Sequence, residues 1–192
     1  VVALLPDKQG QKIWDAGCGT GLLLLFLENV VRKGMIYYGS DLLSAGLSQA
    51  RIRARKLRVS DRVVCVQNDI TVAPVFKENS LDIVVAHFSI YTIHKNDKRQ
   101  QALKNIYRVL KPGGLLIVCC PSENYDAGKI IEESCEFLRA RKGLLQKAIK
   151  RIFFYPFTKG MGLNFIQKQL QSGQWTAYTR EGLAEELQCA GF

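Results

Sequence analysis

As far as Cys120, short runs of consecutive apolar residues alternate with longer stretches of helical periodicity. Lys12 to Asp15, Ile36 to Ser40, Arg62 to Gln67, Leu81 to Ala86 and Leu115 to Cys120 read as strands. The helical stretches between them are Leu22 to Arg32, Leu43 to Leu57 and Lys98 to Leu110. Ile83-Val84-Val85-Ala86 and Leu115-Leu116-Ile117-Val118 are apolar at every position rather than at every second one. A strand needs that pattern when helices cover both faces of its sheet. The alternation therefore predicts a doubly wound, mostly parallel α/β sheet. Lys111-Pro112-Gly113-Gly114 is expected to stop the third helix and turn the chain into the fifth strand.

Beyond Pro121 the rhythm changes. Tyr125 to Arg141, Leu144 to Phe154 and Leu163 to Ser172 keep a helical period with no convincing strand between them, which predicts a helical lid or insertion. Thr179 is placed to cap a helix running to about Ala190, with Gly191 as its stop. The expected organisation is a nucleotide-binding core over residues 1–121, a helical lid or substrate insertion over 122–175, and a closing helix of the same core over 176–192.

Composition narrows the setting. The chain has 192 residues, 47% of them apolar, enough for one sizeable core. The opening Val-Val-Ala-Leu-Leu run meets Pro6 and Asp7 at once and has no basic stretch before it, unlike a secretion signal. Apolar runs such as Leu22 to Leu27 are far shorter than the roughly 20 residues that span a bilayer. Six cysteines form no C-x-x-C pair and lie mostly in strand-like runs, which argues against zinc and a disulfide framework and for a reducing cytoplasm. No metal site is expected. The formal net charge of +10 favours an anionic partner such as nucleic acid, a phospholipid surface or an acidic substrate.

The chemistry concentrates in Ile13-Trp14-Asp15-Ala16-Gly17-Cys18-Gly19-Thr20-Gly21, a strand entering a glycine loop that opens an apolar helix. Glycines there let the backbone turn sharply and approach a ligand over the helix N-terminus. Dinucleotide enzymes use G-x-G-x-x-G at this place for a pyrophosphate, but the spacing here is G-x-G-x-G, and Asp15 stands two residues ahead of the first glycine, at the expected mouth of the site. At an effective dielectric of 20 and about 5 Å, a carboxylate and a phosphate repel by roughly 3 kcal/mol. The same acid attracts a cation. A plainer reading makes Asp15 a turn aspartate bonded to loop amides. Asp41 closes the second strand about 20 residues beyond the loop, where this fold places an acid on a ribose diol, and Asp69 closes the third.

With these residues in view, the chain resembles the class I S-adenosylmethionine-dependent methyltransferases, and within them the small-molecule type related to ubiquinone and menaquinone biosynthesis enzymes. The resemblance covers roughly Gln11 to Cys120 and, weakly, the closing helix. It rests on Asp15-Ala16-Gly17-Cys18-Gly19-Thr20-Gly21, on Asp41, on Asn68-Asp69-Ile70, and on Arg108-Val109-Leu110-Lys111-Pro112-Gly113-Gly114. It implies a Rossmann-like fold of the methyltransferase type, truncated before the last two strands, and S-adenosyl-L-methionine as cofactor. Asp15, Gly17 and Gly19, with Ala16, Cys18 and Gly21 of the same loop, would hold the methionine part. Asp41 would bind the ribose diol, Leu42 and Ile70 would flank the adenine, and Asp69 would accept from its exocyclic amine. His87 and Phe88 would line the methionine end.

The histidine often found past the fourth strand of the family is here Tyr91 or Thr92, with His94 beyond. A sulfonium methyl needs chiefly an in-line nucleophile and a dry site, and a general base where the acceptor is a hydroxyl or acidic carbon. His87, Tyr91 and His94 are the candidates. A packed tyrosine or a satisfied histidine is the bland alternative.

Two basic clusters bear on the acceptor: Arg51, Arg53, Arg55, Lys56 and Arg58, and Arg139, Arg141, Lys142, Lys147, Lys150 and Arg151. The second is an amphipathic stretch able to rest on an anionic membrane, or to pack as a lid with its lysines in water. The expected reaction is methyl transfer to a small-molecule or lipid-like acceptor by a cytoplasmic protein, peripheral to a membrane at most. RNA methylation is a rival through charge, although Ala86-His87-Phe88-Ser89 lacks the Asn/Asp-Pro-Pro-aromatic signature that grips a flipped base. A nicotinamide oxidoreductase and a catalytically silent cofactor-binding subunit complete the alternatives.

Overall fold

A computed structural model of the chain describes residues 2–6, 9–72, 75–130 and 162–192. Its described residues form two compact units, one over 1–120 with 180–192, the other over 121–179.

The first unit is built on five parallel strands in the order β3-β2-β1-β4-β5. β1 spans Lys12–Ala16, β2 Ile36–Asp41, β3 Val63–Gln67, β4 Leu81–His87 and β5 Leu110–Cys119. Helices α1 (Leu23–Arg32), α2 (Ser44–Lys56) and α3 (Asn96–Val109) connect them. Consecutive residues of a strand feed opposite layers, as the unbroken apolar runs require. Ile13, Ile83 and Val85 pack with Leu24, Leu27 and Val31 of α1 and Ala54 of α2. Trp14, Val84 and Ala86 pack with Ala102, Leu103 and Ile106 of α3. The closing helix, Arg180–Ala190, covers this second layer: Leu187 and Ala190 join its apolar cluster, and Arg99 of α3 donates to Glu186 at 3.1 Å.

The expected strands and helices of this unit stand, with most ends moved by a residue or two, and one expectation needs a larger correction. Lys111-Pro112-Gly113-Gly114 does not turn the chain into a strand beginning at Leu115, because β5 already pairs at Leu110. The register runs from Leu81 opposite Leu110 to Ile83 opposite Leu115, so these residues form a bulge inside the strand. Gly113 takes the positive φ of +74° that the bulge requires, and Lys111 Nζ anchors it to Asp82 Oδ1 at 2.6 Å. The helix accordingly ends at Val109, with Leu110 extended.

In the second unit, Tyr178 bridges to Ser122 and its amide donates to the Pro121 carbonyl at 3.0 Å, which is why residues 176–179 group here rather than with the closing helix. The first expected helix of this region begins at 127, with Asp126 Oδ1 accepting the Gly128 and Lys129 amides. The last spans Asn164–Gln171 and is labelled α4, so that the closing helix is α5. The predicted helix over Leu144 to Phe154 and the basic stretch from Arg139 to Arg151 lie outside the described residues.

Candidate active site

Strand order reverses at β1, which has β2 on one side and β4 on the other. In open α/β sheets the crevice above the carboxyl ends at such a switch point is where ligands bind. Here it is bounded by the glycine loop after β1 and by residues 88–92 after β4. The two loops are pressed together. Ser89 Oγ donates to the Ala16 carbonyl at 2.6 Å, and a Cβ on Gly17 would stand 2.4 Å from Ser89 Cβ. Gly17 also has φ +83°, so only glycine closes this contact without strain.

Four amides of the loop already have partners. Gly17 and Cys18 N–H both donate to the Ser40 carbonyl at 2.8 Å, Gly19 N–H to Asp41 Oδ2 at 2.8 Å, and Gly21 N–H to the Cys18 carbonyl at 2.8 Å. A pyrophosphate needs free amides of this kind and an electropositive neighbourhood. These four amides are committed, and the cation at the loop, Arg53, already donates to the Thr20 carbonyl and hydroxyl. Beside Gly19, at φ +51°, the space a Cβ would take is open, with no atom within 4 Å.

Asp15 is placed differently from the expectation. It lies beneath the loop rather than at its mouth, 3% exposed, because β1 continues to Ala16 and the side chain turns toward β2. Tyr37 Oη donates to its Oδ2 at 2.6 Å. Burial pushes the carboxyl up from 3.8 to about 6; the Tyr37 hydrogen bond works against that rise, and the nearby Asp41 adds to it.

Asp41 receives one amide on each oxygen, Gly19 N–H on Oδ2 and Leu43 N–H on Oδ1 at 2.9 Å. A carboxylate has about four acceptor positions, so one lone pair on each oxygen stays available for a diol. Leu42, next along the chain, is 60% exposed. Asp69 Oδ1 accepts both the amide and the hydroxyl of Thr71, and Asn105 Nδ2 donates to the Ile70 carbonyl at 2.8 Å, fixing that turn from α3. Asn68 Nδ2 is buried there without an acceptor among the described residues. A buried donor of this kind costs free energy until a ligand supplies its acceptor.

The catalytic candidates do not share one setting. His87 ends β4 and meets Phe88 edge-on, ring centres 4.8 Å apart; partial burial lowers its imidazole from 6.5. Phe88 has φ +54°, an outlier for a bulky residue, and its exposed ring sits 6.0 Å from Tyr91. Tyr91 is only 3% exposed, inside the turn at 90–92. His94 is exposed just before α3, with its carbonyl held by Arg99 at 3.1 Å.

Tyr37, Ser40, Ser89 and Asn105 were not legible as site residues in the sequence, and Asn68 was marked only as part of the turn with Asp69. A tyrosine inside an apolar strand reads as core, and nothing local marks a serine whose carbonyl receives two amides.

An all-parallel sheet in this order, with an acid beneath the glycine loop and another at the end of β2, defines the Rossmann-like class of S-adenosylmethionine-dependent methyltransferases. The chain belongs to the methyltransferase domain family, whose model matches residues 14–118. It is 35% identical over 111 residues to the ubiquinone/menaquinone biosynthesis C-methyltransferase of Haemophilus ducreyi, covering 58% of this chain and 41% of the relative. A chain in the complex between the Haloferax volcanii Trm112 methyltransferase activator and its assigned methyltransferase shares the fold, with a TM-score of 0.65 at 20% identity over 99% of this chain and 65% of that one. The Haemonchus contortus phosphoethanolamine N-methyltransferase 2, solved with S-adenosyl-L-methionine, gives 0.64 at 21% identity over 97% of this chain and 34% of that one. The chain thus spans less than half the length of the curated relatives it matches. S-adenosylmethionine is the cofactor of this class, and the residues present fit it: a buried acid for a cation, a carboxylate with spare lone pairs for a diol, and an orphaned donor in the β3 turn.

Proposed function

We propose that this chain transfers the methyl group of S-adenosylmethionine to a small-molecule or lipid-like acceptor. The carrying observation is a buried carboxylate under a loop four of whose amides are already engaged, which favours a cationic ligand and disfavours a pyrophosphate. Asp15, Gly17 and Gly19 hold the methionine end, with Ala16, Cys18 and Gly21 shaping the loop. Asp41 holds the ribose. Leu42 and Ile70 flank the adenine, which Asp69 reads through its exocyclic amine and Asn68 through a ring nitrogen. His87 and Phe88 close the methionine end.

When bound, S-adenosylmethionine supplies a methyl group made electrophilic by its sulfonium. The protein's share is then to orient the acceptor, exclude water and take a proton where the acceptor is a hydroxyl or acidic carbon. His87 is the first candidate for that proton, since its lowered pKa leaves the imidazole neutral and able to accept at pH 7. Tyr91, buried behind Phe88, and His94 follow it. The likeness to a quinone-pathway C-methyltransferase over residues of the core supports a small, apolar acceptor.

A second reading, RNA as acceptor, draws on α2 and the residues after it. Arg51, Arg53, Arg55, Lys56 and Arg58 make no ion pair with an acid among the described residues. Calorimetry with S-adenosylhomocysteine and NADH, followed by transfer of tritiated methyl into hydroxylated aromatic lipids or into RNA, tests both readings. Binding of NADH in place of S-adenosylhomocysteine overturns the cofactor assignment. Binding without transfer to either acceptor leaves a silent cofactor-binding subunit.

A further inference from the structure

Asp15 and Tyr37 are built as a pair. Asp15 stands opposite Gly39 in the register of β1 and β2, and Tyr37 lies two residues before Gly39 on the same face of β2. The phenol therefore reaches Asp15 by running past Gly39. A Cβ at that position would stand 3.0 Å from Tyr37 Cε1, 3.3 Å from its hydroxyl and 2.9 Å from Cys18 Sγ, so the glycine is what admits the ring. Tyr37 is fully buried and packed in the cluster that holds Ile13, Leu24 and Met35. The result is a 2.6 Å hydrogen bond from a buried donor to one oxygen of the acid, while Oδ1 accepts nothing among the described residues.

We propose that Tyr37 is the positioning residue of the cofactor site: by holding Asp15 Oδ2 from the neighbouring strand, it aims Oδ1 at the cationic end of the cofactor. This inference rests on the assignment of Asp15 to a cationic ligand. A hydrogen bond to the ionised form also favours that form, so the same contact keeps the acid charged in a place where burial favours its protonation. The other groups facing Asp15 give no such help. Asp41 at the end of β2 repels it, and the thiols of Cys18 in the loop and Cys65 on β3 are themselves pushed up by burial and stay neutral. No cationic side chain acts on it from β1, β2 or the loop.

Calorimetric titration of S-adenosylhomocysteine between pH 5.0 and 7.5 tests the proposal on the wild type, Tyr37→Phe, Asp15→Asn and the double variant. Wild-type affinity is expected to fall through a midpoint near pH 6 as the pH drops. Tyr37→Phe moves that midpoint upward by about one pH unit, making binding roughly fivefold weaker at pH 6.0 and less than twofold weaker at pH 7.5. In the Asp15→Asn background the same change has no further effect. A packing role alone would lower affinity equally at every pH, and that result, or an unchanged profile in Tyr37→Phe, overturns the proposal while leaving the cofactor reading intact. Wild-type binding that stays flat over this range overturns it without any variant. Absence of wild-type binding at every pH removes the cofactor reading and this inference together.

Discussion

Replacing Asp15 by asparagine should make the unliganded protein more stable at neutral pH while weakening, though not abolishing, capture of the cofactor. The acid titrates at about 6 in the folded chain against an ordinary value of 3.8, so the folded state binds more protons than the unfolded one between those values. Stability from this group is fully present below pH 3.8 and is lost as the pH rises through 6. A gap of about two pH units amounts to roughly 3 kcal/mol at about 1.4 kcal/mol per unit. Asparagine cannot ionise and still accepts the Tyr37 hydroxyl on its carbonyl oxygen. Its amide NH2 finds no evident acceptor in the pocket, which costs about 1–2 kcal/mol. The net gain at pH 7.5 is then about 1–2 kcal/mol, or roughly 2–8 °C in Tm for a domain of this size. Urea denaturation at pH 4.5, 6.0 and 7.5 measures it, with an unchanged m-value certifying the same native state. Wild-type stability should decline across this series and the variant's should not. S-adenosylhomocysteine at a concentration far above the wild-type Kd should reverse the order at pH 7.5, since the wild type binds it more tightly and gains more from it. Parallel pH profiles, or a variant less stable than wild type at pH 7.5, would refute the reasoning.

Other substitutions separate fold from site. Gly17→Ala drives a Cβ into Ser89 at positive φ, and chemical denaturation should show a loss of about 2–4 kcal/mol. Gly19→Ala meets open space, so its stability cost should stay near 1–2 kcal/mol while cofactor affinity falls at least tenfold by calorimetry. Glu186→Ala leaves Arg99, whose side chain is only 10% exposed, without its carboxylate and should destabilise the docking of α5 on α3 by about 3 kcal/mol in urea titration. His87→Ala should lower turnover more than cofactor affinity; equal loss of both would remove His87 from proton transfer.

Much of this protein is written locally. The unbroken apolar runs of β4 and β5 could only suit a sheet covered on both faces, and the helical periods between strands made that sheet parallel. Gly17, Gly19 and Gly21 announced positive φ angles after β1, and Asp41 announced an acid at the end of β2. Each of these follows from a residue's own backbone limits or from neighbours within a turn or two. Tertiary structure decided the rest, because burial and hydrogen-bond partners come from far along the chain. Tyr37 lies 22 residues from Asp15, and Ser89 lies 73 from Ala16. Only when β2 and β4 flank β1 does Asp15 lose its water, gain a phenol and shift toward neutrality. The same packing commits the loop amides to Ser40 and Asp41, and the pairing of Leu110 with Leu81 makes Lys111 to Gly114 a bulge rather than a turn. Sequence could place the acid beside the glycines, but its charge at a given pH is a property of the folded surroundings, where desolvation and one short hydrogen bond oppose each other.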